Sequence, residues 1–244
     1  MAFLLTTQTG LVKDSSVTFT PVYVPGNDAG EAVATRFHEW PYGTRGTFVA
    51  EVDFDRPGTW RLDIAADGPD ATGWGVQEFE VLEDSPVPGL GAAAPLSDSK
   101  TLAALGELAL ITTDYSPDES LYQVTVREAV EGPLPTVVVF ASPAFCTSAT
   151  CGPQVDTVSE LRAKYDGQAN FIHVEIYDNP DEIQGDLNRA RIAPTVDEWG
   201  LSRLPHWFNE SWTFVLDSHG RVHNRFEGFA TFAELEESLL ATLN

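Results

Sequence analysis

Cysteine is nearly absent from this sequence: its 244 residues contain only two, Cys146 and Cys151. Two cysteines are too few for the several disulfide bonds that hold small secreted scaffolds together. A zinc-finger type of site is also excluded, because no set of cysteine and histidine residues has the required spacing. Any cysteine chemistry therefore depends on this one pair.

Positive charge is scarce as well. Lysine and arginine together number 14 against 37 aspartates and glutamates, which gives a formal net charge of -23 at pH 7. Such a surface repels nucleic acid and anionic lipid, so we expect no nucleic-acid partner. We interpret the acidity as a device for solubility in a salty or crowded medium rather than as a site for a cationic partner.

Long apolar runs are missing too. No stretch approaches the roughly 18 to 20 apolar residues that a membrane-spanning helix needs, so no transmembrane segment is predicted. The opening residues, MAFLLTTQTG, lack the basic region and the long apolar core of a secretory leader, and they have the pattern of a β-strand. We expect a soluble chain, with a removed leader or lipid anchor ahead of its first strand.

Short β-rich runs separated by turn residues fill the chain up to residue 84. The candidate strands are 3–7, 16–24, 32–37, 46–54, 59–65 and 75–82. This pattern predicts an all-β antiparallel sandwich over residues 1–84. The phrase GTFVAEVDFDRPGTWRLDI, residues 46–64, resembles the paired strands of immunoglobulin-like sandwich modules, which implies that Trp60 is a core residue. No metal-ligand cluster is visible in this part.

Residues 85–96, SPVPGLGAAAPL, are rich in proline, glycine and alanine, and we predict a linker there. After it, strand and helix patterns alternate, which predicts an α/β domain over residues 97–244. The expected elements are helix 120–129, a buried strand 136–140, helix 153–165, strand 171–177, a hairpin formed by 212–216 and 221–226, and a final helix capped by Thr231 with Glu234.

The chemistry of this second domain centres on Cys146 and Cys151. The thiolate is the reactive form of cysteine, and the N-terminus of a helix stabilises it. Because Cys151 precedes Gly152 and Pro153 at the predicted start of a long helix, we expect Cys151 to be the nucleophile. Cys146 would be its partner in a reversible disulfide, although the reverse assignment stays open.

Taken together, a strand ending at Phe140, a cysteine pair followed by Gly-Pro, an amphipathic helix and a late hairpin resemble the thioredoxin-like superfamily, including its bacterial redoxin branch. The resemblance covers about residues 95–244. It implies a thiol-disulfide oxidoreductase without a cofactor, acting on a protein or a small disulfide. Two departures stand out: four residues separate the cysteines, and Gln154 occupies the place of the second cysteine of a CGPC motif.

The resemblance also implies a loop that faces the cysteines. Thioredoxins carry a cis-proline just before the late strand, and here Ser211, preceded by Glu210, is at that position. We expect a trans peptide at Ser211, because a cis bond without proline costs about 3 kcal/mol. Ser211 and Trp212 are the candidate residues for binding an extended client peptide, with the backbone of Ser211 presenting hydrogen-bonding groups to it. Trp207 and Phe208, just upstream, are interpreted as covering the core.

Three alternatives remain open. The pair could be a permanently closed structural disulfide in a cell-surface binding protein. It could bind copper(I), as in the Sco-type relatives of thioredoxin, whose ligand histidine lies where this chain has Asn209 and Glu210, with His206 nearby. A peroxidase would use the pattern of Pro143, Thr147 and Cys151, in which the cysteine is one position late. A sandwich joined to a redoxin resembles bacterial envelope proteins, which implies an extracytoplasmic location: periplasmic, cell-surface or secreted.

Overall fold

The computed structural model describes residues 1–8, 10–40, 45–205 and 207–243. The chain divides into two compact units, Met1–Ser85 and Pro86–Asn244. In the part of the chain that is described, no helix combines the length and the apolar character needed to cross a membrane.

The first unit is built from β-strands. They are β1 Ala2–Phe3, β2 Thr6–Thr7, β3 Gly10–Leu11, β4 Ser16–Tyr23, β5 Asp28–Ala29, β6 Val33–Ala34, β7 Arg36–Glu39, β8 Gly46–Val49, β9 Gly58–Asp67 and β10 Gly73–Val81. One sheet has the order β1-β8-β7, and another has the order β10-β9-β4-β5 with β6 paired to β4. Within the described residues every pairing in this unit is antiparallel.

The two larger sheets share one apolar core. Phe48 from β8 packs in the same cluster as Phe19 from β4 and Leu62 from β9. Trp60 is buried, as predicted, and its Nε1 donates to the carbonyl of Arg56 at 3.0 Å. The unit is therefore an all-β domain with antiparallel sheets, and its immunoglobulin-like character stays a prediction.

Three predicted strands of this unit differ from the structure: 3–7 and 32–37 are each divided between two short strands, and 46–54 is too long. The alternation of apolar residues predicted a strand over 46–54, but β8 ends at Val49. Phe54 packs edge-to-face on Trp60 and Phe79 without belonging to a strand. The apolar pattern thus arises from side-chain packing rather than from pairing between strands.

The second unit alternates helices and strands. Its elements are α1 Leu102–Leu105, α2 Val126–Glu131, β11 Thr136–Ala141, α3 Cys151–Lys164, β12 Asn170–Glu175, α4 Pro180–Ile183, α5 Pro194–Glu198, β13 Trp212–Leu216, β14 Val222–Glu227 and α6 Phe232–Leu240. The sheet order is β12-β11-β13-β14, with β11 and β12 parallel and the other pairs antiparallel. A strand, helix, strand, hairpin and helix in this order confirm the thioredoxin-like fold expected from the sequence.

Strand β11 lies at the centre of this unit, and all its residues are buried. Its side chains alternate between two cores, as the geometry of a strand requires. Val137 and Val139 pack with α3 and α6 on one face, whereas Val138 and Phe140 pack with α2 and α5 on the other. The sheet is therefore covered on both sides, and the loop after β11 leads to the start of α3.

Two local predictions in this unit have different outcomes. The capping box of α6 is confirmed, since Thr231 accepts from the Glu234 N–H and the Glu234 carboxylate accepts from the Thr231 N–H. The helix predicted over 120–129 is wrong in extent. A 3₁₀ turn at Glu119–Tyr122 precedes α2, because Thr125 forms a capping box of its own and starts a new helix at Val126.

The segment predicted as a linker belongs to the second unit. Val87 is only 2% exposed, the Gly91 N–H donates to the Val222 carbonyl at 2.8 Å, and the Ala94 N–H donates to the Gly220 carbonyl at 2.8 Å. The linker prediction over 85–96 is therefore wrong for most of its length. Its small residues and prolines let an extended chain lie along β14, which is the edge strand of the sheet.

Candidate active site

The structure joins the two cysteines directly. Cys146 lies in the loop between β11 and α3, Cys151 is the first residue of α3, and the two form a disulfide bond with a Cα–Cα distance of 5.8 Å. The loop allows this because five positions of chain can fold back on the helix start; Ala149 adopts a left-handed backbone with φ of 59° within it. The predicted pair is thus brought together.

The two sulfurs differ in their access to solvent. Cys151 is 0% exposed and belongs to the apolar cluster that contains Val155 and Ala141. Cys146 is half-buried and is followed by the exposed Thr147. The structure therefore favours Cys146, and not Cys151, as the sulfur that a client can reach. The sequence places a cysteine at a helix N-terminus but does not show that its side chain points into the core.

Asn209 holds in place the loop between β11 and α3, residues 142–150, which we call the cysteine loop. Its Nδ2 donates to the Phe145 carbonyl at 2.7 Å and to Tyr177 Oη at 3.1 Å, and its Oδ1 accepts from the Thr147 N–H at 3.3 Å. Its own carbonyl oxygen lies 3.7 Å from Cys151 Sγ. Asn209 adopts a left-handed backbone with φ of 46°, a conformation that asparagine tolerates better than most residues. The sequence interpretation named Asn209 only as the replacement for a histidine.

Glu210 forms a second link to the same loop. Ser148 Oγ and Thr150 Oγ1 lie 2.7 and 2.5 Å from Glu210 Oε1, and they lie 3.5 and 3.8 Å from Cys146 Sγ. Two hydroxyl groups therefore lie beside the sulfur of Cys146, and the carboxylate of Glu210 accepts from both of them. The sequence interpretation missed this cluster, because about 60 residues separate its two parts along the chain.

The predicted client-binding residues, Ser211 and Trp212, have buried side chains. Ser211 is fully buried; its Oγ donates to the Gly228 carbonyl at 2.9 Å, and its carbonyl accepts from the Gly228 N–H at 2.8 Å. Trp212 is buried in β13 and stacks on Phe214. No cis peptide bond occurs in the described ranges, as expected at Ser211. The side chains of Ser211 and Trp212 are therefore buried, and the binding of an extended client by the backbone of Ser211 stays a prediction.

The aromatic pair upstream of Ser211 is split between core and solvent. Trp207 is half-buried and its Nε1 donates to the Glu210 carbonyl at 2.9 Å, which fixes the backbone of the loop. Phe208 is 67% exposed. The expectation that both residues cover the core holds for Trp207 and is wrong for Phe208.

A buried carboxyl group, that of Glu175, is linked to the first part of the cysteine loop through Thr113. Glu175, at the end of β12, accepts from the Thr113 N–H at 2.8 Å and from Thr113 Oγ1 at 2.7 Å. Thr113 Oγ1 in turn accepts from the Ala144 N–H at 3.2 Å. Burial raises the pKa of Glu175 to about 7, although these hydrogen bonds act in the opposite direction.

His173, in β12, is buried and has a structural role. Its Nε2 lies 3.1 Å from the Ala141 carbonyl, which can only accept, so Nε2 carries the proton. Nδ1 then accepts from Tyr122 Oη at 2.7 Å. Burial lowers the pKa of His173 to about 4, so the ring stays neutral at physiological pH.

The copper and peroxidase alternatives depend on His206 and on Thr147, respectively. His206 lies outside the described residues, and the described part of the chain holds no group of three or more His, Cys, Asp or Glu side chains that could bind a metal ion. Thr147, the threonine of the peroxidase pattern, donates its hydroxyl to Asn209 Oδ1 at 3.2 Å. Gln154, at the place of a motif cysteine, is buried and accepts from the Ala230 N–H at 2.6 Å.

No protein-family model matches the sequence, and no curated protein matches it. Among solved structures, it is similar to a thiol:disulfide interchange protein of the thioredoxin family from Chlorobium tepidum TLS, with 11% identity, a TM-score of 0.38, and coverage of 67% of this chain and 100% of the other.

A putative thiol:disulfide interchange protein DsbE from Chlorobium tepidum is 15% identical, with a TM-score of 0.43. The match covers 64% of this chain and 99% of the other. A thioredoxin-like protein, whose solution structure is of the oxidized form, is 20% identical, with a TM-score of 0.37. The match covers 56% of this chain and 97% of the other. The fold assignment accordingly depends on the sheet order and helix positions described above.

Proposed function

We propose that this chain exchanges its Cys146–Cys151 disulfide with the thiols of a client. The observation that carries the proposal is the pairing of one half-buried sulfur with one buried sulfur at the start of the 14-residue helix α3. An outward sulfur can be attacked by a client. An inward sulfur at a helix N-terminus is a good leaving group, because the helix stabilises the thiolate that forms.

The exchange proceeds in two displacements. A client thiolate attacks Cys146 Sγ, the bond between Cys146 and Cys151 breaks, and Cys151 leaves with the electron pair and takes up a proton. A second client thiolate then attacks the client sulfur of the mixed disulfide, and Cys146 leaves with the electron pair and takes up the second proton. Two electrons and two protons pass from the client to the protein; the reverse sequence reduces a client disulfide.

The finer parts of the proposal concern client and location. We propose a protein client, supported by Phe208, an exposed aromatic side chain next to Asn209 in the loop that contacts the cysteines. An extracytoplasmic location is supported by the joining of a β-rich unit to a thioredoxin-like unit, the arrangement that resembles bacterial envelope proteins. An immunoglobulin-like first unit remains part of the same proposal.

Insulin reduction by dithiothreitol tests the function. The wild-type chain should accelerate it, whereas Cys146→Ser and Cys151→Ser should reduce it to the rate with dithiothreitol alone. Ser159→Ala serves as a control on α3, because Ser159 bonds to Asp118 and not to the cysteine loop. No acceleration, together with a reduction potential below about -300 mV, would instead show a structural bridge.

A structural bridge has one observation in its favour. Cys151 is fully buried, and Asn209 fixes both ends of the tripeptide that contains Cys146. A loop held in this way could keep the disulfide closed permanently. The potential and the turnover, measured on the same preparation, separate the two functions.

A further inference from the structure

The cluster around Cys146 has more acceptors than protons. Ser148 Oγ and Thr150 Oγ1 lie 2.7 Å apart, and each lies within hydrogen-bond distance of Glu210 Oε1. Each hydroxyl group has a single proton to donate. While Cys146 is in the disulfide, the carboxylate of Glu210 is the strongest acceptor that these protons can reach. A thiolate on Cys146 would compete with Glu210 for them.

The position of Thr150 supports this view of the cluster. Thr150 is the N-cap residue of α3, where a threonine side chain normally accepts from a backbone N–H of the first turn. No such capping bond is formed by the Thr150 side chain in the described structure. Its hydroxyl is directed to Glu210 instead, at 2.5 Å. Thr150 has helical rather than extended backbone angles, so its side chain does not cap the helix, and its only proton is donated to Glu210.

Few other charges act on the cluster. The loop 142–150 and the first turn of α3 contain no charged residue. From β14, Glu227 lies near Glu210, and burial together with the charge of Glu210 raises the pKa of Glu227. Arg225 on the same strand donates to the carbonyls of Val87 and Pro88 and lies over the Trp212 ring. Among the described residues, the charges linked to this cluster are therefore the carboxylate of Glu227 and, on the same strand, the guanidinium of Arg225.

We infer that Glu210 is a positioning residue that sets, through the hydroxyl groups of Ser148 and Thr150, the pH at which reduced Cys146 becomes a thiolate. The inference deepens the proposed function and rests on it. When the thiol loses its proton to solvent, a hydroxyl must turn from Glu210 to the sulfur, and two negative charges then share one cluster. Glu210 therefore shifts thiolate formation to higher pH, and no electron is transferred in this step.

The test measures thiolate formation directly. In a Cys151→Ser background, which leaves Cys146 as the only cysteine, the rate of alkylation by iodoacetamide is followed against pH. Glu210→Gln should move the midpoint of this profile down by about one pH unit, the usual size of an effect between like charges at close range. Glu227→Gln is the matched control, because it removes the same charge from β14 without a bond to either hydroxyl. A midpoint that moves no more with Glu210→Gln than with Glu227→Gln overturns the inference.

A second comparison tests whether the hydroxyl groups of Ser148 and Thr150 transmit the effect of Glu210, which we call the relay. In a Ser148→Ala, Thr150→Val background, the shift caused by Glu210→Gln should fall to less than half, since the hydroxyls that transmit it are gone. An undiminished shift would show a direct effect of charge and contradict the relay. Should the double variant not fold, Ser148→Ala alone makes the same comparison. Neither profile needs a client, so a protein that fails to reduce insulin yet shows both shifts refutes the proposed function and not this inference.

Discussion

Glu175 shows how a single buried side chain makes stability depend on pH. Its pKa is raised from 4.5 to about 7 in the folded chain, so the folded state binds more protons than the unfolded state between these values. The free energy of unfolding must therefore fall as the pH rises from about 4.5 to about 7, and it changes little from this source above that range. The effect is opposite in sign to that of an acid held in an ion pair.

We predict that Glu175→Gln removes this part of the pH dependence. Relative to wild type, the variant should gain up to about 3 kcal/mol in unfolding free energy between pH 5 and pH 8, because one pKa unit corresponds to about 1.4 kcal/mol. Urea unfolding across this range measures the difference. Glu160→Gln, on the exposed side of α3, is the control for loss of a surface charge. Parallel profiles for wild type and Glu175→Gln would contradict the prediction.

Asn209 is the residue on which the shape of the cysteine loop depends most. Asn209→Ala removes the hydrogen bonds to the Phe145 carbonyl and the Thr147 N–H, both of which are partly buried. We expect a loss of about 1 to 3 kcal/mol in unfolding free energy. Hydrogen exchange at residues 145–150 should accelerate more than exchange in β11.

Two further variants separate the causes of that loss. Asn209→Gly keeps the freedom to adopt a φ of 46° but not the side-chain bonds, so it should be destabilised in the same way. Asn188→Ala, whose side chain bonds only within its own turn at Asp186, should have a small effect. An Asn209→Gly variant as stable as wild type would show that the backbone conformation, and not the side chain, makes Asn209 necessary.

At the scale of single residues, the sequence predicts the pairing of the two cysteines but not their surroundings. Cys146 and Cys151 are recognisable because both stand near the start of a helix that local patterns predict. The contacts of Asn209 and Glu210 are formed across about 60 residues of chain, and only the completed sheet brings them to the loop. The orientation of Cys151 into the core is likewise set by the packing of α3 on β11.

Among elements, those with strong local signals are predicted well. The limits of β13 agree with the prediction, and the starts of α3 and α6 agree within two residues, because a buried apolar run, a proline in the first turn and a capping box are local features. The segment 86–96 is not predicted, because proline, glycine and alanine are equally compatible with a free linker and with a chain laid along a sheet edge.

Two substitutions in the segment 86–96 test whether it packs as part of the second unit. Val87→Asp places a charge at a position that is 2% exposed and should destabilise the second unit by about 3 kcal/mol or more. Leu90→Asp, three residues later and 68% exposed, should stay within about 0.5 kcal/mol of wild type. Thermal unfolding followed by calorimetry measures both. Equal stability of the two variants would restore the linker interpretation.

For the whole molecule, the sequence predicts fold class better than it predicts topology. The second unit follows the expected order because alternating strand and helix patterns leave few ways to form one sheet. The first unit is β-rich as expected, but period-two patterns do not determine which strands pair, and several of its strands have only two residues. The net charge of -23 constrains partners and not fold.

The central claim concerns which sulfur meets a client, and trapping tests it most directly. Reduced Cys151→Ser, mixed with an oxidised protein such as insulin, should accumulate a mixed disulfide on Cys146, since Cys151 is absent and cannot resolve it. Mass spectrometry of the proteolysed adduct identifies the cysteine. Cys146→Ser should form little adduct, because Cys151 is fully buried. Equal or greater trapping on Cys151 would contradict the account, as would the absence of any adduct from either variant.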